Sequence, residues 1–547
     1  MNLFIKIILA LLTLFIPFAF AGAEPWGFSV LQAGIIGCSV WWLLAAKEKI
    51  CLSRLAKPIL CGLVFLIVLG IVQSCFPQTL LDQRVSYPVS LMPLYTWENI
   101  SLLATYGALF LLTCQIFPSQ EEIKPATGWI VFCAVIVALC AVSFTKGEYL
   151  HFFAGVRGGV GPFLNRNHAA LFFAMGAMGA LGRVFFNYTR PDKQHLHREQ
   201  RRRFYVEQTC GWIISIGLCA AVIFTRSRGG MLALLIGLFL FAFSAAACLP
   251  KTRLQKAERL FAVAVVLGGT VYWINTHLDW INEFAQRSQH ISNAIRLMLY
   301  HAGADLLSDF PVWGIGLGAM PVAIPPYFAY SLPQYVEHLH NDWLELAIGI
   351  GYAGVAILAV FVLWFAVLVL MRMKHLPRHK WAFFTASCCA LVVMSAGSVV
   401  DFHFFIPANA FLFFIFLGFV CAPTYDKHHL SGWSLPFTLR VLIAGILLCT
   451  LYIPLQKTVA WRCALFGKGL KQEAKLLQYQ NALQHFPSPR FAVKLGNAYF
   501  NASLHAKTPE EAQVLRRQGF EIAHTYLKRY PKEPDLSKLY VRTRPKK

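Results

Sequence analysis

The sequence predicts an all-α, polytopic integral membrane protein, and three observations predict it. Apolar runs near the length of ~20 residues that spans a bilayer core recur along the 547 residues. The chain is 57% hydrophobic and only 14% charged, below the roughly 25% charged residues of soluble domains, and its mean hydropathy is +0.55. Its basic residues fall in short loops between the apolar runs.

In chain order, spans are expected near 2–22, 27–46, 58–76, 98–117, 126–145, 167–186, 209–225, 229–249, 260–276, 343–370, 382–400, 404–422 and 438–455, about 12–13 in all. The first, Met1 to Ala21, carries one Lys before an apolar stretch and ends in small residues. Its weak basic start favours a retained span over a cleaved signal peptide. The charges then supply a check. Four loops are basic: Lys47, Lys49, Arg54 and Lys57; Arg190, Lys193, Arg198 and Arg201 to Arg203; Lys251, Arg253, Lys256 and Arg259; and Arg372, Lys374, Arg378 and Lys380. With thirteen spans and the N-terminus inside, all four lie on the cytoplasmic side, where Lys and Arg collect. A miscount of one span between any two would split them.

The organisation expected is a transmembrane region over 1–455, with a long outer loop over 277–342, and a small outer helical region over 456–547. In that last region "AVKLGNAYFNASLHA" and "EEAQVLRRQGFEIAHTYLKRYPKEP" pair small and aromatic residues at helical spacing. The pattern is that of one or two tetratricopeptide-like hairpins, too few to stand alone as a solenoid, so they are expected to pack on the membrane region.

The net charge is +23. The cytoplasmic preference of Lys and Arg accounts for most of it, and the remainder is available to an anionic substrate. Short basic loops between spans exclude a nucleic-acid surface. The 15 Cys lie mostly in apolar runs, without a CxxC or Cys/His metal spacing, so they read as small packing side chains. No metal or cofactor site is visible.

Five polar clusters fall on the outer side in this topology. "EHLHNDWLELAIG" sets His338, His340, Asn341, Asp342 and Glu345 at the mouth of a span. Asp342 and Glu345 fit a helix capping box, whereas a His at a water–membrane boundary can exchange a proton near neutral pH. "NAIRLMLYHAGADLLSDFPVWGIGLGAM" is an amphipathic helix with Arg296 and Tyr300, then a Pro/Gly turn. "FTRSRGGMLALLIG" places Arg226 and Arg228 in a very short outer turn. Arg is disfavoured there unless it pairs, and a planar guanidinium suits phosphate oxygens. Headgroup contact by these side chains is the ordinary alternative. "GVRGGVGPFLNRNHAALFFAM" holds Arg157, Asn165, Arg166, Asn167 and His168 ahead of a span. Asn165 or Asn167 reads equally well as a helix cap. "SVVDFHFFIPANAFLFF" holds Asp401 and His403 in a short turn, where Asp401 orients another side chain, binds a hydroxyl, or simply closes the turn.

These segments together resemble the O-antigen ligase and polymerase superfamily of membrane glycosyltransferases. The pieces that carry the resemblance are "GPFLNRNHAALFFAM", "SRGGMLALL", "AIRLMLYHAGADLLSDFPVWGIGLG", "HLHNDWLELAIGIGYAG" and "DFHFFIPANAFLFF", in order between about Gly155 and Gly418. The resemblance implies a GT-C-like fold and a metal-independent, inverting glycosyltransferase without a cofactor. It implies transfer from an undecaprenyl-diphosphate-linked glycan at the periplasmic face of the bacterial inner membrane. Three acceptors fit the scaffold: lipid A-core, a growing polysaccharide, or a protein. Arg228, Arg296 and His340 match the catalytic positions, with His338 the alternative histidine. Arg226, Arg157, Asn165, His338, Asn341 and Asp401 are expected to bind substrate.

Two readings from other classes compete. A small-anion transporter predicts internal repeats and broken spans at mid-membrane, and no clear repeat is found. A membrane anchor for a C-terminal interaction module leaves the arginines of the outer turn unexplained.

Overall fold

A computed structural model describes residues 1–45, 50–78, 85–143, 159–189, 197–248, 278–328, 336–425, 431–433, 436–530 and 533–544. Apolar side chains dominate every long segment, and with no water to satisfy the backbone, a helix is the stable solution. The helices are α1 (Asn2–Phe18), α2 (Pro25–Ala45), α3 (Ala56–Cys75), α4 (Pro93–Ile116), α5 (Gln120–Ser143), α6 (Arg166–Thr189), α7 (Arg198–Phe224) and α8 (Arg228–Cys248). After them come α9 (Leu278–Asp309), α10 (Asp342–His375), α11 (Arg378–Gly397), α12 (Pro407–Val420), α13 (Phe437–Thr450), α14 (Tyr452–Gly467), α15 (Gln472–His485), α16 (Pro489–Leu504), α17 (Pro509–Arg529) and α18 (Pro534–Thr543). A two-stranded antiparallel ribbon, β1 (Ile50–Leu52) with β2 (Ser431–Trp433), is the one sheet among the described residues.

Ten helical stretches are long and apolar enough to cross a membrane, with α13 and α14 forming one of them. The chain is therefore an all-α, multi-pass membrane protein. Two more expected spans are shorter than read from sequence. α1 stops at Phe18, because Phe20, Ala21 and Gly22 take positive φ and turn the chain back. α12 begins only at Pro407, because the residues before it form the turn that carries Asp401 and His403. The expected span at 260–276 and the basic loop at Lys251 to Arg259 lie outside the described residues.

Contacts sort the helix ends into two faces. At one, Lys6 pairs with Glu122, Ser53 Oγ donates to the Cys421 carbonyl, Thr424 N donates to the Pro118 carbonyl, and the β1–β2 ribbon closes the loops. The helices adjoining this end carry Arg54, Lys57, Arg201 to Arg203, Arg372, Lys374, Arg378 and Lys380. At the other, Thr458 Oγ1 donates to the Pro25 carbonyl, Lys457 pairs with Glu98, and Asp342 N donates to the Ser398 carbonyl.

α6 runs through the centre and is the most buried of the candidate spans. Its small residues permit close approach, as small residues do between membrane helices. A Cβ at Gly176 would stand 2.7 Å from the Ala134 Cβ of α5, and one at Gly182 would stand 2.7 Å from the Ala386 Cβ of α11.

α10 is broken at Gly351 (φ 68°, ψ 176°). The freed groups are absorbed by the loop after α9. Ile315 N and Gly316 N donate to the carbonyls of Ile348 and Gly349, while Tyr352 N and Ala353 N donate to those of Pro311 and Val312. Gln73 Nε2 adds bonds to the Trp313 and Gly349 carbonyls, each 2.8 Å long. The break thus welds the start of α10, which leads out of the His338 to Asn341 segment, to the loop after α9.

The C-terminal helices pack on that same loop. Leu306 of α9, Met92 before α4, Ala492 of α16, Tyr530 and Leu536 share one buried apolar cluster.

Candidate functional site

The segment 338–342 is held in an unusual shape. His340 has φ 55°, a left-handed conformation that costs a non-glycine residue energy and persists only where its surroundings impose it. The Tyr300 hydroxyl donates to the His340 carbonyl at 2.9 Å. Asn341 Oδ1 accepts from Leu344 N at 3.0 Å and caps α10. The cap is therefore Asn341, one residue earlier than the Asp342/Glu345 box expected from sequence. Asp342 is used across the fold instead, and Glu345 holds the segment that leads into α10. Asp342 Oδ2 accepts from His403 N at 2.7 Å and Phe404 N at 3.0 Å. Glu345 Oε2 accepts from Leu339 N at 3.2 Å.

These bonds bring the turn after α11 against the start of α10, and Asp401 becomes the hub. His340 Nδ1 lies 2.8 Å from Asp401 Oδ1, which also accepts from Phe402 N at 3.0 Å. Oδ2 accepts from Asn167 Nδ2 at 2.5 Å and lies 3.6 Å from Arg296 Nη2. Both oxygens are engaged and the side chain is 1% exposed, whereas His340 is 33% and Arg296 29% exposed. A ligand can reach the imidazole and the guanidinium but not the carboxylate. Burial pushes the Asp401 carboxyl up, but the His340 hydrogen bond and the neighbouring imidazoles outweigh it. They hold it well below the usual carboxylate range.

His338 faces a different environment. Its ring stacks on Phe402 at 4.3 Å and leans on Phe405 at 4.4 Å, and Nδ1 is 3.2 Å from Glu345 Oε1. Burial lowers its proton affinity, but the Glu345 carboxylate outweighs this and raises the imidazole above its ordinary value.

The third strand of the site is the turn between α7 and α8. Thr225 Oγ1 accepts from Ser227 N, and Ser227 Oγ accepts from Gly230 N to cap α8. Arg226 takes φ 56° and Arg228 opens the helix. The two glycines let this turn dock. A Cβ on Gly230 would stand 2.4 Å from the Ala170 Cβ, and one on Gly229 2.7 Å from Val400 Cγ2. The turn is thereby pressed between the start of α6 and the turn that leads to Asp401. Arg166 lies within electrostatic reach of Arg228, Arg226 and Arg296. Of these, Arg296 pairs with Asp401 directly, and Arg166 adjoins Asn167, which also holds Asp401.

The remaining expected residues divide. Asn165 Oδ1 accepts from Asn167 N at 2.9 Å and its carbonyl from His168 N and Ala169 N, so Asn165 starts α6. Asn341 is likewise a cap. Arg157 lies outside the described residues.

Asn167, Arg166, Tyr300, His168 and His403 join the site without having been singled out as site residues from sequence. The last two form a buried pair, Nδ1 to Nδ1 at 3.0 Å. Burial pushes the His403 imidazole down to about 4, against the opposing pull of Asp401. The signal for all five was their place inside the polar clusters, but spacing along the chain does not say which of them meet.

Residues 213–359 match the family model described as O-antigen ligase. No curated protein matches the chain. The matched stretch runs from within α7 through the break in α10. It contains Arg226, Arg228, Arg296, His338, His340 and Asn341, while Asp401 and Asn167 lie outside it. Over residues 213–359 the chain is thus similar to the O-antigen ligase family, the same family that its motifs resemble.

Proposed function

We propose that this protein transfers a glycan from an undecaprenyl-diphosphate carrier to an acceptor hydroxyl at the periplasmic face of the bacterial inner membrane. The observation that carries the reading is the bond between His340 Nδ1 and Asp401 Oδ1 at 2.8 Å, set beside Arg296 and within reach of the arginine turn.

The chemistry follows from that pair. An ionised Asp401 takes the Nδ1–H and leaves Nε2 with a free lone pair. As the acceptor oxygen bonds to the anomeric carbon, its proton passes to Nε2. The bond from that carbon to the diphosphate oxygen breaks with inversion, and the carrier leaves as its diphosphate. Arg228 and Arg296 bind the diphosphate and stabilise the charge growing on it. At about 4 Å and an effective dielectric near 20, each such contact is worth roughly 4 kcal/mol before desolvation. Arginine thus supplies the counter-charge, and no metal is required. His338, committed to Glu345 and two phenylalanines, positions the segment and His340 does the chemistry. The periplasmic orientation rests on the basic residues at the opposite end of the bundle, by the positive-inside rule.

The test is transfer by purified protein from an undecaprenyl-diphosphate glycan to lipid A-core, polysaccharide and protein acceptors. Loss of transfer in Arg228→Ala, Arg296→Ala and His340→Ala is expected. Transfer that survives in all three removes the mechanism. Anion uptake by proteoliposomes without any transfer would favour a transporter.

A further inference from the structure

The positive-inside rule, expected from sequence to account for most of the net charge, covers less than half of it once the C-terminal region is counted separately. Residues 456–547 hold 18 Lys and Arg against 6 Asp and Glu, a net +12 of the chain's +23. These helices pack at the end of the bundle that carries His340 and Asp401, opposite the basic loops. Among the described residues of the region, Lys457, Arg490, Arg517 and Lys538 have a carboxylate partner. Lys468, Lys471, Lys475, Lys528 and Arg529 do not. Self-repulsion of this size opposes a compact helical module, so it argues for an anionic partner.

Three of these cations lie where the module meets the membrane helices. Lys468, Arg490 and Lys494 lie within electrostatic reach of one another's neighbourhood around Glu24 and Glu337. Glu24 directly precedes α2 and Lys468 directly follows α14, so the cluster stands where two apolar helices end. Burial, with Arg490 and Lys468 adding to it, pushes the Lys494 ammonium down to about 8. Arg490 Nη1 donates to Glu337 Oε1 at 2.5 Å, and Glu337 is three residues from His340. A glycan whose diphosphate sits at Arg296 must extend away from the apolar helices, on the side where these cations lie.

We propose that the C-terminal helices, with Lys468, Arg490 and Lys494 at their base, bind the sugars of the transferred glycan, and that this glycan is polyanionic, bearing carboxylate groups. A bilayer headgroup presents its charge at one depth, whereas this surface continues from the helix ends through α15 to α18. The proposal rests on the transfer reading for the identity of its ligand, but its test needs no transfer.

Full-length protein in nanodiscs of zwitterionic lipid is titrated with oligogalacturonate and with its carboxyl-reduced neutral counterpart. The acidic oligomer is expected to bind at least about ten-fold tighter, a difference of ~1.4 kcal/mol. The ratio should fall to near one in Lys468→Gln/Arg490→Gln/Lys494→Gln, and partly in the pair Lys471→Gln/Lys475→Gln. His340→Ala should keep it, so failure of catalysis and failure of this surface are read separately. Equal binding of the two oligomers overturns the proposal, as does discrimination that survives in both variants. Linear polyphosphate of equal charge binding as tightly would reduce the effect to ion exchange. Loss of the signal in phosphatidylglycerol nanodiscs would assign the surface to the bilayer instead.

Discussion

Asn167 and Asp401 meet across the bundle: the amide nitrogen at the start of α6 stands 2.5 Å from the carboxylate oxygen that faces Arg296. The contact joins residues 234 positions apart, and it leaves the other oxygen to His340. Asn167 is a positioning residue, acting through Asp401. Asn167→Ala is expected to slow transfer on the order of 10- to 100-fold, the cost of a small misplacement of reacting groups, with little change in donor binding. Asn167→Asp should be slower still, because two carboxylates would then face each other. Kinetics of both variants decide it; an Asn167→Asp protein as fast as wild type would exclude the role.

His340 and Asp401 are expected to act as a unit. Asp401→Asn removes the charge that orients the imidazole and should cost roughly 10²- to 10⁴-fold in turnover, by analogy with other histidine–carboxylate pairs. The double variant with His340→Ala should be about as slow as His340→Ala alone, since one step is lost only once. Losses that multiply in the double variant would mean two independent functions.

Acid should destabilise the end of the bundle that carries His340 and Asp401, through His403. Its folded value of about 4 lies below the ordinary 6.5, so between these values the unfolded chain holds a proton that the folded one does not. Stability then rises with pH across this window. The contribution is fully present above about 6.5 and lost toward 4, with an upper size of roughly 3 kcal/mol. His338 has the opposite sign: its contribution is present below the ordinary imidazole value and lost as pH rises through the raised one. Asp401, held low, loses its contribution only below the ordinary carboxylate range. Thermal unfolding in detergent at pH 7.5 and 5 should show a smaller drop for His403→Gln than for wild type. An unchanged drop would place the acid sensitivity elsewhere.

The arginine turn depends on the absence of a side chain at Gly230. Gly230→Ala would force its Cβ to 2.4 Å from the Ala170 Cβ, and an overpacked contact costs about 1–3 kcal/mol. It should lower the unfolding midpoint and reduce transfer by displacing Arg228. Gly217→Ala in α7 meets nothing within 4 Å and serves as the control. Equal behaviour of the two variants would show that the turn does not need this fit.

Much of the architecture was legible in the linear chain. The apolar runs specified the spans, because a segment that must satisfy its own backbone in lipid has one solution, and the periodic recurrence of Lys and Arg sorted the loops. The lengths of α1 and α12 were not legible, since Phe20, Ala21 and the Asp401 turn shorten them through backbone conformations that hydropathy does not encode. The break at Gly351 was likewise hidden inside one long apolar run, and it exists because the loop after α9 supplies partners for the opened backbone.

The site divides the same way. Composition and local pattern identified the polar clusters and the residue types able to hold a diphosphate or move a proton, because such groups are costly near a membrane and stand out there. Which imidazole faces Asp401, that Asp342 reaches the turn before α12 rather than capping α10, and that Asn167 rather than Asn165 reaches across depend on distances between segments up to 234 residues apart. Those distances are set by the packing of α6, α10 and α11 and by the glycines that let the arginine turn close on them, and pairwise geometry of that kind has no local signature.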